Sequence, residues 1–113
     1  MTLYLISFND GDMTFPEEDL PDVSRAAHAV VHEAREAGIW VFGGGLTFHR
    51  EGSMVATDGT ITDGPKPGRQ DFIGGFSVVD VATRAQALAW AGKFAAACRC
   101  AQEVREFVPD EER

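Results

Sequence analysis

The stretch FIGGFSVVDVATRAQALAWAGKFAAA, residues 72–97, contains one strand and the helix that follows it. Its first ten residues are rich in β-branched and aromatic side chains, which predicts a strand. Thr83 and Gln86 have the spacing of a capping box, in which each side chain accepts a hydrogen bond from the other residue's backbone N–H, so a helix is predicted to begin there. The apolar positions of this helix recur at helical spacing: Ala87, Leu88, Ala91, Phe94 and Ala95, with Trp90 at their edge.

The N-terminal part of the chain has the same order of strand and helix. TLYLISF, residues 2–8, is a β-favouring run that ends at the turn cluster NDGD. Residues 16–38 follow as a helix, with acidic residues at its start, where the positive end of the helix dipole favours negative charge. Gly38 suits the position after the last helical residue. IWVFGGGLTF, residues 39–48, predicts the second strand.

Two further segments complete the predicted fold. SMVATDGTIT, residues 53–62, predicts a hairpin with a type I′ turn, which needs positive φ at both Asp58 and Gly59. AQEVREFV, residues 101–108, predicts the last strand. The whole order is β-α-β, hairpin, β-α-β, which predicts one domain over residues 1–108. Its expected fold is an α+β ferredoxin-like sandwich with both helices on one face of a four-stranded sheet. Residues 109–113 are expected to be an acidic tail.

The first strand is apolar on both of its faces. Leu3 and Leu5 alternate with Tyr4, Ile6 and Phe8. Because the helices cover only one face of such a sheet, the other face would expose a large apolar patch, which is unfavourable in a monomer. We therefore predict a homodimer whose sheets pack face to face, a dimeric α+β barrel.

Composition limits the classes of function. The chain has 113 residues and a net charge of −8, which argues against nucleic-acid binding and against binding to an anionic membrane surface. It contains no run of about 18 apolar residues and no signal-peptide pattern, so we expect a cytoplasmic protein. Cys98 and Cys100 are too close for an ordinary disulfide and do not form a C-x-x-C motif, so we predict small free thiols, buried or half-buried.

The segment TITDGPKPGRQDFIGGF, residues 60–76, contains the most distinctive loop. It does not fit a nucleotide-binding P-loop, because it lies between two strands, lacks the Ser or Thr, and has prolines where amide donors are needed. Asp63, Gly64 and Pro65 suit a fixed corner, in which the carboxylate bonds backbone amides and the glycine has positive φ. Lys66 and Arg69, followed by Asp71, offer an alternative function: they attract a small anion, or they pair with acids of a second subunit.

Two groups of glycines suggest a hollow in the sheet surface. Gly74 and Gly75 lie in one predicted strand, and residues 43–45 are all glycine in another. Glycine in a strand allows backbone or a ligand to approach closely. We expect a hollow that fits a small aromatic or apolar ligand, lined by Trp40, Phe42, Phe72 and Phe76. The alternative is a sheet bulge with tight dimer packing.

The three histidines differ in their expected surroundings. His28 and His32 are four residues apart on the first helix, a spacing that can hold a metal. His32, however, points away from the apolar face and His28 lies at its margin, so we predict solvated side chains and no metal site. His49 ends the second strand beside the glycines, where an imidazole can exchange protons near neutral pH. The alternative for His49 is an exposed loop residue.

The chain resembles the YCII-related proteins, in particular their DGPF subgroup. The resemblance is carried by ITDGPKPGRQDFIGGFSVVDV at residues 61–81, by ALAWAGKFAAA and EVREF after it, and by LYLISF and AGIWVFGGGL before it. It implies a dimeric α+β barrel. Most members have no assigned reaction, some relatives resemble small lyases with a His and an Asp near the dimer cleft, and the subgroup is associated with sigma-factor regulation. The family's helix-one histidine lies near His28.

Three departures from the family pattern bear on activity. Lys66 stands where the family has phenylalanine after Asp-Gly-Pro. The second strand has GGGL, residues 43–46, where an acidic residue is usual. AACRC, residues 96–100, replaces a small ARGG cluster. If relatives use the missing acid, part of their chemistry is absent here.

Three functions therefore stay open. The first is a homodimer that binds a small anionic or aromatic molecule in a cleft near the dimer interface, without catalysis. The second is a cofactor-independent lyase or isomerase, in which a histidine moves a proton, an aspartate orients it, and a cation holds an anionic group. The third is a structural or partner-docking module without a ligand. The candidate catalytic residues are His28, His49 and Asp71, and the candidate ligand-binding residues are Asp63, Lys66, Arg69 and Phe76. No cofactor is expected.

Overall fold

The computed structural model of this chain describes residues 1–69 and 71–113. It is an α+β structure, as the sequence predicted. In chain order its elements are β1 (Thr2–Asn9), α1 (Leu20–Glu36), β2 (Trp40–Gly45), β3 (Ser53–Val55), β4 (Ile61–Asp63), β5 (Ile73–Val81), α2 (Arg84–Cys98) and β6 (Glu103–Glu106). One turn of 3-10 helix, Glu17–Asp19, precedes α1.

Four strands form the main sheet, in the order β2-β5-β1-β6. Every neighbouring pair is antiparallel. The first strand is central, which explains why its side chains are apolar on both faces. β3 and β4 pair only with each other, as a separate hairpin.

Both helices cover the face of the sheet that carries Tyr4 and Ile6. Those two side chains are 4% and 1% exposed, and they form the core with residues of β5 and α2. The buried members of this core are Tyr4, Ile6, Val79, Val81, Ala87, Ala91 and Phe94, and α1 contributes Val30 and Val31 at its edge. A single apolar layer between the helices and the sheet thus holds the domain together.

The prediction of the buried face of α2 was wrong at Leu88, which is 43% exposed. The helix buries Ala87, Ala91, Phe94 and Cys98. These residues follow each other at intervals of three or four, and Leu88 lies about 100° around the helix from Ala87, outside that stripe.

The capping box at the start of α2 is confirmed. Thr83 Oγ1 accepts a hydrogen bond from the backbone N–H of Gln86 at 3.2 Å, and Gln86 Oε1 accepts one from the backbone N–H of Thr83, also at 3.2 Å. We expect Thr83→Ala to lower the free energy of unfolding by about 1 kcal/mol, because an N-terminal amide of the helix loses its acceptor. Urea denaturation measures the change. Thr14→Ala, at an exposed position, is the control, and equal stability of the two variants would contradict the prediction.

The β3–β4 hairpin is confirmed, but its type I′ turn is not. Gly59 has a φ of +90°, whereas Asp58 is outside the positive region. The N–H of Gly59 donates to the carbonyl of Ala56 at 2.9 Å, and a carboxylate oxygen of Asp58 accepts from the N–H of Thr60, also at 2.9 Å. This hydrogen bond lowers the pKa of Asp58. The hairpin loop is therefore longer than a two-residue type I′ turn. Its glycine has positive φ, whereas the residue before it has the negative φ of most residues.

The molecule is flat. Its extents are 45 × 43 × 19 Å and its radius of gyration is 15.7 Å, against about 13 Å expected for a compact domain of this length. All six residues of the hairpin strands are exposed, and the sheet face opposite the helices is uncovered. No helix described in residues 1–69 and 71–113 is long and apolar enough to cross a membrane.

Candidate functional site

A cavity of about 350 Å³ lies on the helix-covered side, between α1, α2 and the end of β2. We call it the helix-side cavity. Its lining includes Phe8 of β1, Ala27 and Val31 of α1, Trp40 and the three glycines of β2, and Phe94 and Cys98 of α2. Most of these groups are apolar, which suits a small apolar ligand.

The three glycines of β2 do not play equal parts in this cavity. A Cβ on Gly43 would lie 2.4 Å from the carbonyl oxygen of Phe76 and 2.9 Å from the Trp40 ring, so this position has no room for a side chain. A Cβ on Gly44 or Gly45 would meet nothing within 4 Å. Gly43 therefore allows close approach of β2 to β5, and open space remains beside the end of the strand.

Few polar groups border the helix-side cavity. His28 Nδ1 lies 2.7 Å from the carbonyl oxygen of Ser24, to which it donates, so the neutral ring has an unprotonated Nε2. Arg35 and Gln102 also line it.

Cys98 is buried and free, and burial raises the pKa of its thiol. Because a protonated thiol is a poor nucleophile, Cys98 serves as an apolar wall. Cys100 is half-buried and free, so both cysteine predictions are confirmed.

The predicted hollow is only partly correct. Trp40 pairs with Val79 across the strands, but Phe42 pairs with Val78, since a bulge at Val41 inserts one residue. The bulge reverses the alternation of side chains, so Phe42 lies on the face away from the helices, 64% exposed. Gly74 and Gly75, the second group of glycines, leave no space for a ligand. A Cβ on Gly74 would lie 2.6 Å from Asp10 Oδ1, and one on Gly75 would lie 2.6 Å from the Phe8 ring.

A second cavity, of about 360 Å³, lies beneath the loop that joins β4 to β5. We call it the loop-side cavity. Its lining includes Leu46, His49, Lys66, Arg69, Phe72 and Ile73. Three of the predicted site residues, His49, Lys66 and Arg69, are thus brought together here. Phe72, which was expected in the hollow with Trp40, belongs to this cavity instead.

His49 has a carboxylate partner that sequence reasoning missed. Asp10 Oδ2 lies 3.2 Å from His49 Nδ1 and accepts a hydrogen bond from the backbone N–H of His49 at 2.8 Å. The side chains of Asp10 and His49 are 11% and 25% exposed. Since the carboxylate accepts from Nδ1–H, the neutral ring presents an unprotonated Nε2, the form that acts as a base.

The sheet holds Asp10 in this position. The N–H of Asp10 donates to the carbonyl oxygen of Phe72 at 2.7 Å, and the register of β1 with β5 shifts between Phe8 and Asn9. The extra residue of β5 at this irregularity is Gly74, which leaves space for the Asp10 carboxylate. Strand irregularities of this kind re-aim neighbouring side chains. The available sequence signal was an acidic residue directly after an apolar strand.

Two aromatic rings contact the imidazole of His49. Its ring is stacked on Phe72, with centroids 4.4 Å apart and an interplanar angle of 5°, and the Phe48 ring lies 4.3 Å away, tilted by 41°. The guanidinium of Arg69 lies 5.0 Å from the Phe72 centroid, and that of Arg50 lies 5.3 Å from the Phe48 centroid. Stacking and cation–π contacts thus restrict both the imidazole and two cations near it.

Neither aspartate of the predicted site, Asp63 or Asp71, forms a hydrogen bond with a histidine among residues 1–69 and 71–113. Asp63 Oδ1 accepts a hydrogen bond from the Ser53 hydroxyl at 3.0 Å, across the hairpin. The backbone amides that were expected to bond this carboxylate do not do so within residues 1–69 and 71–113. The positive φ predicted for the corner is confirmed at Gly64, with +92°. Asp71 is exposed, and its backbone carbonyl accepts from Arg69 Nε at 2.8 Å.

The remaining predicted residues lie elsewhere. His28 borders the helix-side cavity and Phe76 lies at its edge. By the strand register, however, the Phe76 side chain is on the face away from the helices, with its ring centroid 6.1 Å from that of Phe42. His32 is exposed on α1. Within residues 1–69 and 71–113, no group of three His, Cys, Asp or Glu side chains is arranged to hold a metal ion.

Comparison with known families gives one match over nearly the whole chain. Residues 2–109 match the model of the YCII-related domain. A search of curated proteins gave no match. The match covers every strand and helix described above, including the residues that line both cavities.

Proposed function

The chain belongs to the YCII-related domain family, and we propose that it acts as a homodimer that binds a small, mainly apolar molecule in the helix-side cavity. The cavity itself is the observation that supports this proposal. Its volume of about 350 Å³ falls within the range of small-molecule sites, about 300–1,000 Å³. Its lining is apolar, with only a few polar groups at the border.

The chemistry of the lining favours an aromatic ligand. Trp40 and Phe94 provide aromatic surface, with ring centroids 6.2 Å apart, and both line the cavity. Arg35 and His28 can receive a carboxylate or hydroxyl group of the ligand. A small aromatic acid matches both features. Because burial raises the pKa of Cys98, this cavity offers no activated thiol, and the proposed role of the helix-side cavity is regulatory binding without turnover.

We also propose a more specific fold, a ferredoxin-like sandwich that forms a dimeric α+β barrel. The order β2-β5-β1-β6, with both helices on one face, supports a ferredoxin-like sandwich. The uncovered face, which we call the open sheet face, carries Leu3, Leu5, Phe42 and Val78. Packing this face against its copy would form a dimeric α+β barrel. The motif at residues 61–81 supports the DGPF subgroup, and we propose a cytoplasmic location.

Blocking the helix-side cavity tests the binding proposal. We expect Ala27→Leu to weaken binding of benzoate and indole by about tenfold or more, equal to about 1.4 kcal/mol, because the larger side chain occupies the cavity. Titrations followed by the amide resonances of Gly43, Gly44 and Gly45 measure the affinity.

The matched control is Ala29→Leu, the same change at an exposed position of the same helix. It is expected to leave binding unchanged. If neither probe shifts these resonances in the wild-type protein, the binding proposal for the helix-side cavity fails. A lyase or isomerase role is favoured by a different observation, the pairing of Asp10 with His49.

A further inference from the structure

We propose that the loop-side cavity is an acid–base site for a small enolisable carboxylate, with His49 as the base, Asp10 as its positioning residue, and Lys66 and Arg69 as the anion-binding groups. This site shares no lining residue with the helix-side cavity. It is built on the histidine after β2 and not on His28 of α1, and it does not depend on the binding proposed above.

His49 is held in a state that suits a base. A histidine can act as a base when one ring nitrogen is free and the other is held by a hydrogen bond that fixes the tautomer. Asp10 Oδ2 supplies that hydrogen bond at Nδ1, and its second one, to the backbone N–H of His49, fixes the carboxylate itself. Stacking on Phe72 limits rotation of the ring. The imidazole is therefore preorganised and still a quarter exposed.

The charge around the loop-side cavity suits a small anion. The described residues that line it include Lys66 and Arg69 and no carboxylate, in a chain whose net charge is −8. Within residues 1–69 and 71–113, neither cation forms an ion pair. Arg69 is held over Phe72 and by its hydrogen bond to the Asp71 carbonyl. A local cationic site in an acidic protein selects small anions.

These groups support a proton transfer that needs no co-reactant. His49 Nε2 takes a proton from the carbon next to the substrate carbonyl. The C–H bond breaks, an N–H bond forms, and the electron pair moves onto the carbonyl oxygen as an enolate. The two cations stabilise this negative charge. Return of the proton to the same carbon gives exchange with solvent, and its return to another carbon gives an isomer, so atoms and electrons balance.

Proton exchange provides a direct test. With pyruvate as the probe in D₂O, loss of the methyl proton signal is followed by NMR, and the rate is compared with that of free imidazole at equal concentration. We expect exchange above that background, and a loss of about 100-fold or more in His49→Gln. Asp10→Asn is expected to lower the maximal rate with little change in the half-saturating pyruvate concentration. Lys66→Gln is expected to raise that concentration and to change the maximal rate less.

Folding and specificity are checked separately. His32→Gln removes an exposed histidine of α1 and should exchange like the wild type. Melting temperatures show whether each variant is folded. If Asp10→Asn does not fold, the exchange rates of His49→Gln and Lys66→Gln still test the proposal. A wild-type rate equal to that of free imidazole, or to that of folded His49→Gln, overturns the proposal. Because the helix-side cavity is tested by benzoate and indole, the two proposals can fail independently.

Discussion

Sedimentation velocity of the purified chain at micromolar concentration is expected to show a dimer, with twice the mass of the 12.2 kDa chain, and Phe42→Asp is expected to sediment as a monomer. Phe42 is 64% exposed in the single chain, so its replacement should leave the fold of the monomer intact. Its position on the open sheet face places it where the proposed partner would pack.

The expected effect on association is large. Full burial of a phenylalanine removes about 150–250 Å² from water, at about 25 cal/mol per Å², and the part of Phe42 available to the contact is the 64% that is exposed. In a symmetric dimer each substitution occurs twice in the interface. An aspartate there would bury an unpaired charge away from water, which is unfavourable. We therefore expect the dissociation constant to rise by at least about a thousandfold, equal to about 4 kcal/mol.

Leu88→Asp is the matched control for the dimer experiment. Leu88 is an exposed apolar residue of α2, outside the stripe that packs on the sheet. The same change of chemistry there should leave the dimer unaltered. A wild-type monomer at micromolar concentration would refute the dimer, and a dimeric Phe42→Asp would move the interface to another surface, such as the exposed hairpin.

Local sequence patterns were sufficient for the elements of the fold. The capping box of Thr83 and Gln86 marked the start of α2, and Gly38, with a φ of +76°, marked the end of α1. Both features depend on residues within one or two helical turns, which is the range over which a sequence pattern acts directly. The apolar residues on both faces of β1 likewise fit its central place in the sheet, between β5 and β6.

The parts that sequence reasoning missed depend on strand register. The pairing of Asp10 with His49 joins residues 39 positions apart, and it exists because β1 and β2 both end beside the same end of β5. Neither segment contains a signal for the other. The bulge at Val41 also depends on register. Its one inserted residue moves the side chains that follow to the opposite face of the strand, and Phe42 therefore leaves the predicted hollow. No periodicity argument contains that insertion.

Gly43 of β2 has no room for a side chain. We expect Gly43→Ala to lower the free energy of unfolding by about 3 kcal/mol or more, because its Cβ would lie 2.4 Å from the Phe76 carbonyl oxygen and 2.8 Å from the Ser77 Cα. Both are backbone atoms of β5, which cannot move without disturbing the sheet. Overpacking of this kind costs about 1–3 kcal/mol where side chains can adjust, and here the backbone must shift. Chemical denaturation of the purified variant measures the loss.

Two neighbouring glycines make this prediction specific. Gly44→Ala and Gly45→Ala add the same methyl group to the same strand, where nothing lies within 4 Å of the new atom. These variants should match the wild type within about 0.5 kcal/mol, or gain slightly, because alanine restricts the unfolded chain more than glycine does. A uniform loss across all three variants would mean that strand flexibility, and not the contact with β5, explains the glycines. A loss at Gly43 alone would show that close approach of β2 to β5 requires a glycine at that position.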